Sequence, residues 1–288
     1  MIANQNVLIS GAKGFVGSRL VDALRYNNEI VAVDNLLHAP NPDEFPNVRY
    51  LNVSVSEAIH RLRNDKFDLF FHFGEYSRVE QSVAEPMLAF ENSSASMVDV
   101  IRFCIVNNIK LVYSGSSTKF AHYSDGQESP YAIFKKYNTA LINTFAEFSD
   151  LNYAISYFYN VYGPGESRDP KYGTVIKKFI DLVNSGHEKL PVTLPGSQQR
   201  NFTHIDDTIS ALILIAQSGV GDGYGICAKE TYSILDLVSM LGCEPEWLPS
   251  RVGNRDHALD MSEKTRALGW VQHNKLEDYL RKQLSERL

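Results

Sequence analysis

The sequence predicts an α/β fold class: a doubly wound parallel sheet with a smaller, mixed α/β lobe after it. Two patterns predict this fold. Short and nearly continuous apolar runs alternate with amphipathic segments, as expected for parallel strands that helices cover on both faces. A glycine-rich turn over 11–17 joins the first apolar run to the first amphipathic segment. The alternation of apolar runs and amphipathic segments ends near residue 160, where the second lobe is expected to begin.

Six apolar runs are the predicted strands of the sheet, and four amphipathic segments are its predicted helices. The strands are expected over 7–9, 30–33, 48–51, 69–73, 111–113 and 153–157. The helices are expected over 15–26, 55–64, 86–107 and 130–149. Because strands and helices alternate, neighbouring strands are expected to be parallel.

The second half is richer in Gly, Pro and polar residues, which favours loops and short elements. One helix is expected over 174–185. A strand over 202–205 ends at Asp206 and Asp207, which mark the N-terminus of a helix that runs to Ala216. Two or three short helices are expected after residue 230.

Composition excludes several classes of function. The 288 residues are 44% hydrophobic and carry a net charge of −6 without a basic patch, so nucleic acid is not an expected partner. No apolar run is long enough to span a bilayer, and no signal peptide is recognised, so a cytoplasmic location is expected. The cysteines Cys104, Cys227 and Cys243 lack metal-ligand spacing, so no metal is expected.

The glycine-rich turn predicts a dinucleotide site. Gly11 allows a tight turn, Gly14 lets the backbone approach a pyrophosphate, and Gly17 allows close helix packing. The N-terminus of the following helix offers free N–H groups and the positive end of its dipole to phosphates. Asp34 ends the second strand, twenty residues after Gly14, where a carboxylate accepts from a ribose 2′-hydroxyl and repels a 2′-phosphate. The cofactor is therefore expected to be NAD.

A second motif predicts proton transfer next to that cofactor. Tyr131 and Lys135 are four residues apart and share one face of a predicted helix. A neighbouring ammonium and a cationic nicotinamide favour a phenolate, which is a useful base. Ser116 follows the fifth strand and can bond the same substrate oxygen. An exposed helical Tyr/Lys pair is the alternative explanation, but the position after a Ser-rich strand end favours catalysis.

With these residues in view, the chain resembles the extended short-chain dehydrogenase/reductase family, and in particular its NAD-dependent nucleotide-sugar epimerases and dehydratases. The resemblance covers essentially the whole chain. It rests on Gly-x-x-Gly-x-x-Gly over 11–17, Asn-Val-Tyr-Gly-Pro over 160–164 and Arg-Asn-Phe-Thr-His-Ile-Asp-Asp over 200–207. Leu-Gly-Trp over 268–270 resembles the end of the family pattern.

The resemblance implies a Rossmann domain that binds NAD and a lobe that binds a nucleotide-diphosphate sugar. The first domain is assigned to 1–162, with 201–218 returning to it, and the lobe to 163–200 and 219–288. Ser116, Tyr131 and Lys135 match the catalytic residues, while Arg200 and Arg251 are expected to hold the diphosphate. A homodimer is also implied, through the helices predicted over 86–107 and 130–149.

The predicted site has two sets of binding residues. Cofactor contacts are predicted for Gly11, Gly14, Phe15, Val16, Gly17, Asp34, Asn35, Asn52, Val53, Phe73, Gly74, Asn92, Ser114, Tyr131, Lys135 and Tyr159. Substrate contacts are predicted for Glu75, Tyr76, Arg78, Ser116, Ser117, Asn160, Arg200 and Arg251.

Two departures from the family pattern shape the functional hypothesis. Ser117 and Thr118 replace the Asp and Glu that serve dehydratases as acid and base, which disfavours dehydration. Glu75 stands in a position where the family usually has alanine, and Tyr76 and Arg78 follow it. The leading hypothesis is a nucleotide-sugar 4-epimerase. The alternatives are a 4-dehydrogenase or 4-keto reductase of the same fold, and a non-enzymatic NAD sensor.

Overall fold

The computed structural model describes residues 2–41, 43–120, 128–167, 169, 172–250 and 259–285. The strands are β1 Asn6–Ser10, β2 Glu29–Val33, β3 Arg49–Leu51, β4 Leu69–His72, β5 Lys110–Ser116, β6 Tyr153–Phe158, β7 Val161–Tyr162, β8 Lys189–Thr193, β9 Gln199–Arg200, β10 Thr203–His204, β11 Gly221–Ile226, β12 Tyr232–Ser233 and β13 Glu244–Leu248. The helices are α1 Phe15–Leu24, α2 Val55–Arg61, α3 Val79–Ala84, α4 Pro86–Glu91, α5 Met97–Asn107, α6 Pro130–Phe148, α7 Val175–Asn184, α8 Ile205–Ser218, α9 Ile234–Met240, α10 Glu263–Ala267 and α11 Leu276–Ser285, with a short 3-10 helix at Ser117–Phe120.

Seven parallel strands form the central sheet, in the order β11-β6-β5-β4-β1-β2-β3. All six predicted strands belong to it, which confirms the predicted α/β fold class. β3 lies at one edge of the sheet. After β3 the chain returns past β2 and β1, and β4 pairs with the other side of β1. Loops that follow β1 and β4 therefore diverge at the carboxyl edge and leave room for a ligand.

The strands are continuously apolar because helices cover both faces of the sheet. Val7 and Ile9 pack into the cluster that contains Leu20 of α1 and Leu212 of α8. Leu8, between them, packs into the opposite cluster with α2, α5 and α6. Successive side chains along a strand therefore enter opposite clusters, so all residues of β4 and most residues of β1 and β5 are buried. A third cluster joins α7, α9, α11 and β8 in the second lobe.

The sequence predicted one helix over 86–107, but the chain forms two, α4 and α5. Polar residues between them bond outside a helix: Asn92 O and Ser93 Oγ both accept from Tyr76 N, at 3.0 and 3.3 Å. Serine and asparagine compete with the helical backbone in this way, so the helix ends and Asn92 is turned toward the carboxyl edge of the sheet.

The sequence also assigned all of 219–288 to the second lobe, and for β11 this was wrong. Gly221–Ile226 pairs with β6 and is the seventh strand of the central sheet. Three of its six residues are glycine, so it lacks the apolar run that identifies the other strands. Gly225 is packed so closely that a Cβ there would lie 2.5 Å from Met261 C. The remaining domain boundaries stay predictions. Within the described residues, no helix combines the length and apolarity that crossing a bilayer requires.

The two acids at the start of α8 have different surroundings. His204 is the N-cap of α8, and Asp206 and Asp207 lie in its first turn. Asp207 is buried and accepts from the backbone N–H groups of His273 and Asn274, at 3.0 and 2.9 Å. It therefore holds the C-terminal segment against the central domain.

This arrangement predicts that Asp207→Ala lowers the free energy of unfolding by about 2–3 kcal/mol, because two buried N–H groups lose their acceptor. Asp206→Ala is the matched control. Its half-exposed carboxylate pairs with Arg19, and its loss is expected to cost about 1 kcal/mol or less. Urea unfolding of the two variants measures the difference, and equal losses would contradict the assigned role.

Candidate active site

A cleft of about 1090 Å³ runs along the carboxyl edge of the central sheet, between it and the second lobe. It gathers most of the predicted site residues: Gly11, Gly14, Phe15, Val16, Gly17, Asp34, Asn35, Val53, Phe73, Gly74, Glu75, Tyr76, Arg78, Asn92, Ser114, Ser116, Ser117, Tyr131, Lys135, Asn160 and Arg200 all line it. Residues of the central domain meet here because its parallel strands end at this edge, and Arg200 of β9 lines the cleft from the second lobe.

The glycine turn lies at one side of the cleft. Gly11 has a φ of +68°, and a Cβ on it would lie 2.7 Å from the carbonyl of Phe73. A Cβ on Gly17 would lie 2.0 Å from Gly11 O, so Gly17 packs against the turn itself. Gly14 is the N-cap of α1 and gives that helix no side-chain cap. The first N–H groups of α1 therefore remain available for a phosphate.

Asp34 holds the turn from the end of β2. Its Oδ2 accepts from Lys13 N at 2.9 Å and its Oδ1 from Leu36 N at 2.8 Å. Each carboxylate oxygen can accept a second hydrogen bond, so Asp34 still has capacity for a ribose hydroxyl. Beside it, Asn35 Nδ2 donates to Asn92 Oδ1 at 2.7 Å. These residues fit the adenosine half of a dinucleotide.

Ser116 ends β5 on the other side of the cleft. Its Oγ accepts from the backbone N of Thr118 at 3.3 Å and lies 3.0 Å from Thr118 Oγ1. These contacts occupy the lone pairs of Ser116, which leaves its own proton to be donated into the cleft. Thr118 was not among the predicted site residues, although a hydroxyl two residues after Ser116 is a typical spacing for such a turn.

Helix α6 brings Tyr131 and Lys135 to the same cleft. Ser129 caps this helix by accepting from Ala132 N, and Tyr131 N donates to Ser82 Oγ at 3.1 Å. One turn later, Lys135 Nζ donates to Ser114 O at 2.6 Å, at the end of β5. The helix is therefore bound to the strand that carries Ser116, and the predicted catalytic residues share one cleft wall.

Glu75 differs from its prediction as a substrate contact. Its side chain is only 1% exposed, and its Oε2 lies 2.5 Å from Lys135 Nζ. Asn138 Nδ2 donates to Oε1 at 2.8 Å, and the Tyr113 hydroxyl lies within 3.0 Å of both carboxylate oxygens. The carboxylate thus takes its partners from the protein. Asn138, three residues after Lys135 on the same helix face, is a signal that sequence reasoning missed.

His72 lies next to Glu75 and Lys135 and is uncharged. Its Nδ1 lies 2.6 Å from Ser10 Oγ, and its Nε2 is 3.7 Å from Glu75 Oε1. Burial lowers the pKa of His72 to about 4. Its imidazole is therefore neutral at neutral pH, and Lys135 is the cation that faces Glu75.

The predicted substrate residues lie at the far side of the cleft, toward the second lobe. Tyr76 is buried and its hydroxyl donates to Glu85 Oε2 at 3.1 Å, so only part of its ring is available to a ligand. Burial lowers the pKa of Arg78 from its usual value, although a guanidinium remains charged. Asn160 and Arg200 meet the cleft beside them, with Asn160 Nδ2 donating to Asn201 O at 2.8 Å.

Two predicted contacts do not line this cleft, and a third falls outside the part of the chain that the structure describes. Tyr159 was predicted to bind the cofactor, but it is 1% exposed in the core, where its hydroxyl donates to Leu259 O. Tyr159 follows the end of β6 and packs into the hydrophobic cluster that includes Tyr157 and Cys227. Asn52 is exposed and outside the cleft lining. Arg251 lies outside the described residues.

Comparison with known proteins agrees with this geometry. A family model described as the NAD dependent epimerase/dehydratase family matches residues 7–227. The chain is 27% identical to the low-salt glycan biosynthesis protein Agl12 of Haloferax volcanii, over 96% of each chain. It is 26% identical to a dTDP-4-dehydro-6-deoxy-D-allose reductase of Streptomyces bikiniensis, over 83% of this chain and 81% of the other.

A solved structure shows the same fold over the full length. It is a UDP-N-acetylglucosamine 4-epimerase from Methanobrevibacter ruminantium in complex with UDP-N-acetylmuramic acid. The two chains are 25% identical, superpose with a TM-score of 0.86, and cover 100% of each other. These matches confirm NAD as the cofactor and the fold class that the sequence predicted.

The geometry around Asp34 predicts that Asp34→Ala weakens NAD binding roughly tenfold or more, since a charged acceptor is lost. Discrimination against NADP should fall as well, because a negative charge no longer faces the 2′-phosphate. Calorimetric titration with both nucleotides measures these effects. Asp22→Ala is the control, since its carboxylate bonds Arg25 on α1 outside the cleft lining. Unchanged NAD affinity in Asp34→Ala would contradict the assignment.

Proposed function

We propose, because the chain belongs to the NAD-dependent epimerase/dehydratase family, that it is a nucleotide-sugar 4-epimerase that acts through a 4-keto sugar. Members of this family are NAD-dependent enzymes, so the alternative of a non-enzymatic NAD sensor is set aside. One observation carries the proposal: Ser116, Tyr131 and Lys135 share a cleft in which no dehydratase acid pair follows Ser116.

The protein's part in the reaction is proton transfer at the C4 oxygen. Bound NAD would accept a hydride from C4 and later return it. Tyr131 takes the C4 hydroxyl proton, and Ser116 donates a hydrogen bond to the same oxygen. The hydrogen bonds from Thr118 fit this role, because they leave the Ser116 proton as the one that faces the cleft.

Inversion at C4 requires the 4-keto sugar to present its other face before the hydride returns. The nucleotide must stay bound during this rotation. Arg200 and Arg251 are proposed to hold the diphosphate, with Asn160 beside them, so that the sugar turns about a fixed anchor. Arg200 lines the cleft at the side of the second lobe, which supports this assignment.

Dehydration is disfavoured by the residues next to Ser116. Loss of water from the sugar needs an acid and a base close to C5 and C6. Ser117 and Thr118 are buried, 2% and 7% exposed, and neither hydroxyl titrates in the neutral range. The proposal therefore separates this chain from the dehydratases of its family.

A 4-keto reductase, or the reverse 4-dehydrogenase, is the second candidate. The similarity to the Streptomyces reductase over most of both chains favours it. It would use the same Ser116, Tyr131 and Lys135. The difference lies in whether the sugar can rotate, and Tyr76, fixed by Glu85 at the cleft wall, narrows the space in which rotation takes place.

We also propose that the protein is a homodimer. Helices α5 and α6 expose Val106, Tyr137 and Phe148 at 75%, 52% and 79%. Ile101 of α5, by contrast, is buried in the core. Light scattering after size exclusion should give twice the chain mass of 32.4 kDa, and a single chain mass would overturn the proposal.

The epimerase proposal predicts that UDP-, GDP- or dTDP-sugars are converted into a product with inverted C4 configuration. Tyr131→Phe should lower kcat by roughly 10²- to 10⁴-fold and leave NAD binding intact, because only the proton acceptor is lost. Tyr26→Phe is the matched control at an exposed position outside the cleft lining and should keep activity. Chromatographic separation of the sugars measures the product.

Three results would count against an epimerase. A keto sugar released together with an equal amount of NADH would indicate a net oxidation, whereas a stable keto sugar without NADH would indicate loss of water. Consumption of a 4-keto sugar with added NADH, without conversion of the parent sugar, would indicate the reductase.

A further inference from the structure

Glu75 is a buried carboxylate that the proposed reaction does not use. It accepts from Lys135 Nζ at 2.5 Å and from Asn138 Nδ2 at 2.8 Å, while the Tyr113 hydroxyl bonds both of its oxygens. Three donors therefore surround a carboxylate whose side chain is 1% exposed. The position usually holds alanine in the family that the sequence resembles, so this charge is a property of the present chain.

The ion pair of Glu75 and Lys135 has no net charge, and the described side chains that bond it from β4 and β5 are neutral. His72 from β4 is neutral, with a pKa that burial lowers to about 4. Burial raises the pKa of Tyr113 from β5 well above its usual value, so its phenol is neutral. Among the residues that the structure describes, the other hydrogen-bond partners of the pair are the Asn138 amide and the Ser114 carbonyl, which are uncharged.

The pair lies at the nicotinamide end of the proposed cofactor site. The glycine turn and Asp34 occupy one side of the cleft and fit the pyrophosphate and the adenosine ribose. Tyr131 and Lys135 line the opposite wall, with Glu75 directly behind the Lys135 ammonium. A dinucleotide stretched from Asp34 therefore brings its second ring toward this pair.

We propose that Glu75 is a positioning residue that fixes and neutralises Lys135, and so sets the preference of the site for NAD⁺ over NADH. The oxidised nicotinamide ring is a cation and the reduced ring is neutral. A lone ammonium beside the ring would repel only the oxidised form, and Glu75 removes that repulsion. An epimerase must begin each cycle with oxidised cofactor, so a site that does not repel NAD⁺ keeps the enzyme in its active form. The inference rests on the proposed cofactor site but not on the identity of the sugar.

The test is the ratio of the Kd for NAD⁺ to the Kd for NADH, measured by titration of the purified full-length protein without sugar. At pH 6.5, Glu75→Gln should raise this ratio on the order of tenfold, the size expected for one uncompensated charge several ångströms from the ring. Tyr113→Phe is the matched control. It removes a donor from Glu75 but keeps both charges, so the ratio should stay unchanged.

A second comparison covers the case in which Glu75→Gln alone does not fold. Lys135→Met leaves the carboxylate without its partner, and Lys135→Met/Glu75→Gln replaces the ion pair with neutral side chains of similar size. At pH 8.5, the double variant should show a higher ratio of the two Kd values than Lys135→Met, because it lacks the carboxylate beside the ring.

Each outcome decides the question. A ratio that stays constant across these pairs, or equal weakening of NAD⁺ and NADH, would reduce Glu75 to a structural role and overturn the proposal. A change in the ratio in a protein that converts no nucleotide-sugar would support the role of Glu75 and contradict the proposed epimerase. The two claims can therefore fail separately.

Discussion

The ion pair between Lys135 and Glu75 is the interaction on which the arrangement of the site depends. It joins helix α6 to the loop after β4, and the second hydrogen bond of Lys135, to Ser114 O, joins the same helix to β5. Burial of two opposite charges is tolerated because each is surrounded by hydrogen-bond partners, and removal of one partner costs about 3–5 kcal/mol. With α6 held at this point, Tyr131 one turn earlier is held on the wall that also presents Ser116. The geometry of proton transfer thus follows from an electrostatic contact behind the reacting groups.

Close backbone packing imposes the second constraint, at the cofactor end. Gly11 and Gly17 are in contact with backbone atoms that leave no space for a side chain. The N-terminus of α1 is therefore held at the carboxyl edge of β1, and Asp34 accepts from the turn to keep it there. One end of the cleft is built from backbone N–H groups and the other from charged and hydroxyl side chains. This division suits a ligand with a diphosphate at one end and a reactive ring at the other.

The local elements could be predicted from the sequence, because periodicity and capping residues are local signals. The six apolar strands and the helices around the motifs were confirmed. The glycine-rich strand β11 and the break after α4 were not predicted. β11 forms because it pairs with β6, and the helix breaks at Asn92 because Asn92 bonds residues from other loops. For the site, the motifs placed Ser116, Tyr131 and Lys135 in one cleft. The burial of Glu75 and of Tyr159 depends on tertiary contacts. Local sequence patterns do not contain these contacts, so both residues were predicted to bind ligands.

The central claim is that hydride leaves C4 and returns to C4 of the same sugar within one cleft. A nucleotide-sugar deuterated at C4 tests it most directly, with NMR of the product as the measurement. The account predicts that the C4 epimer forms with its deuterium still at C4, because the label is held on the bound cofactor between the two transfers. Loss of deuterium to solvent, or its release in free reduced cofactor, would contradict the account.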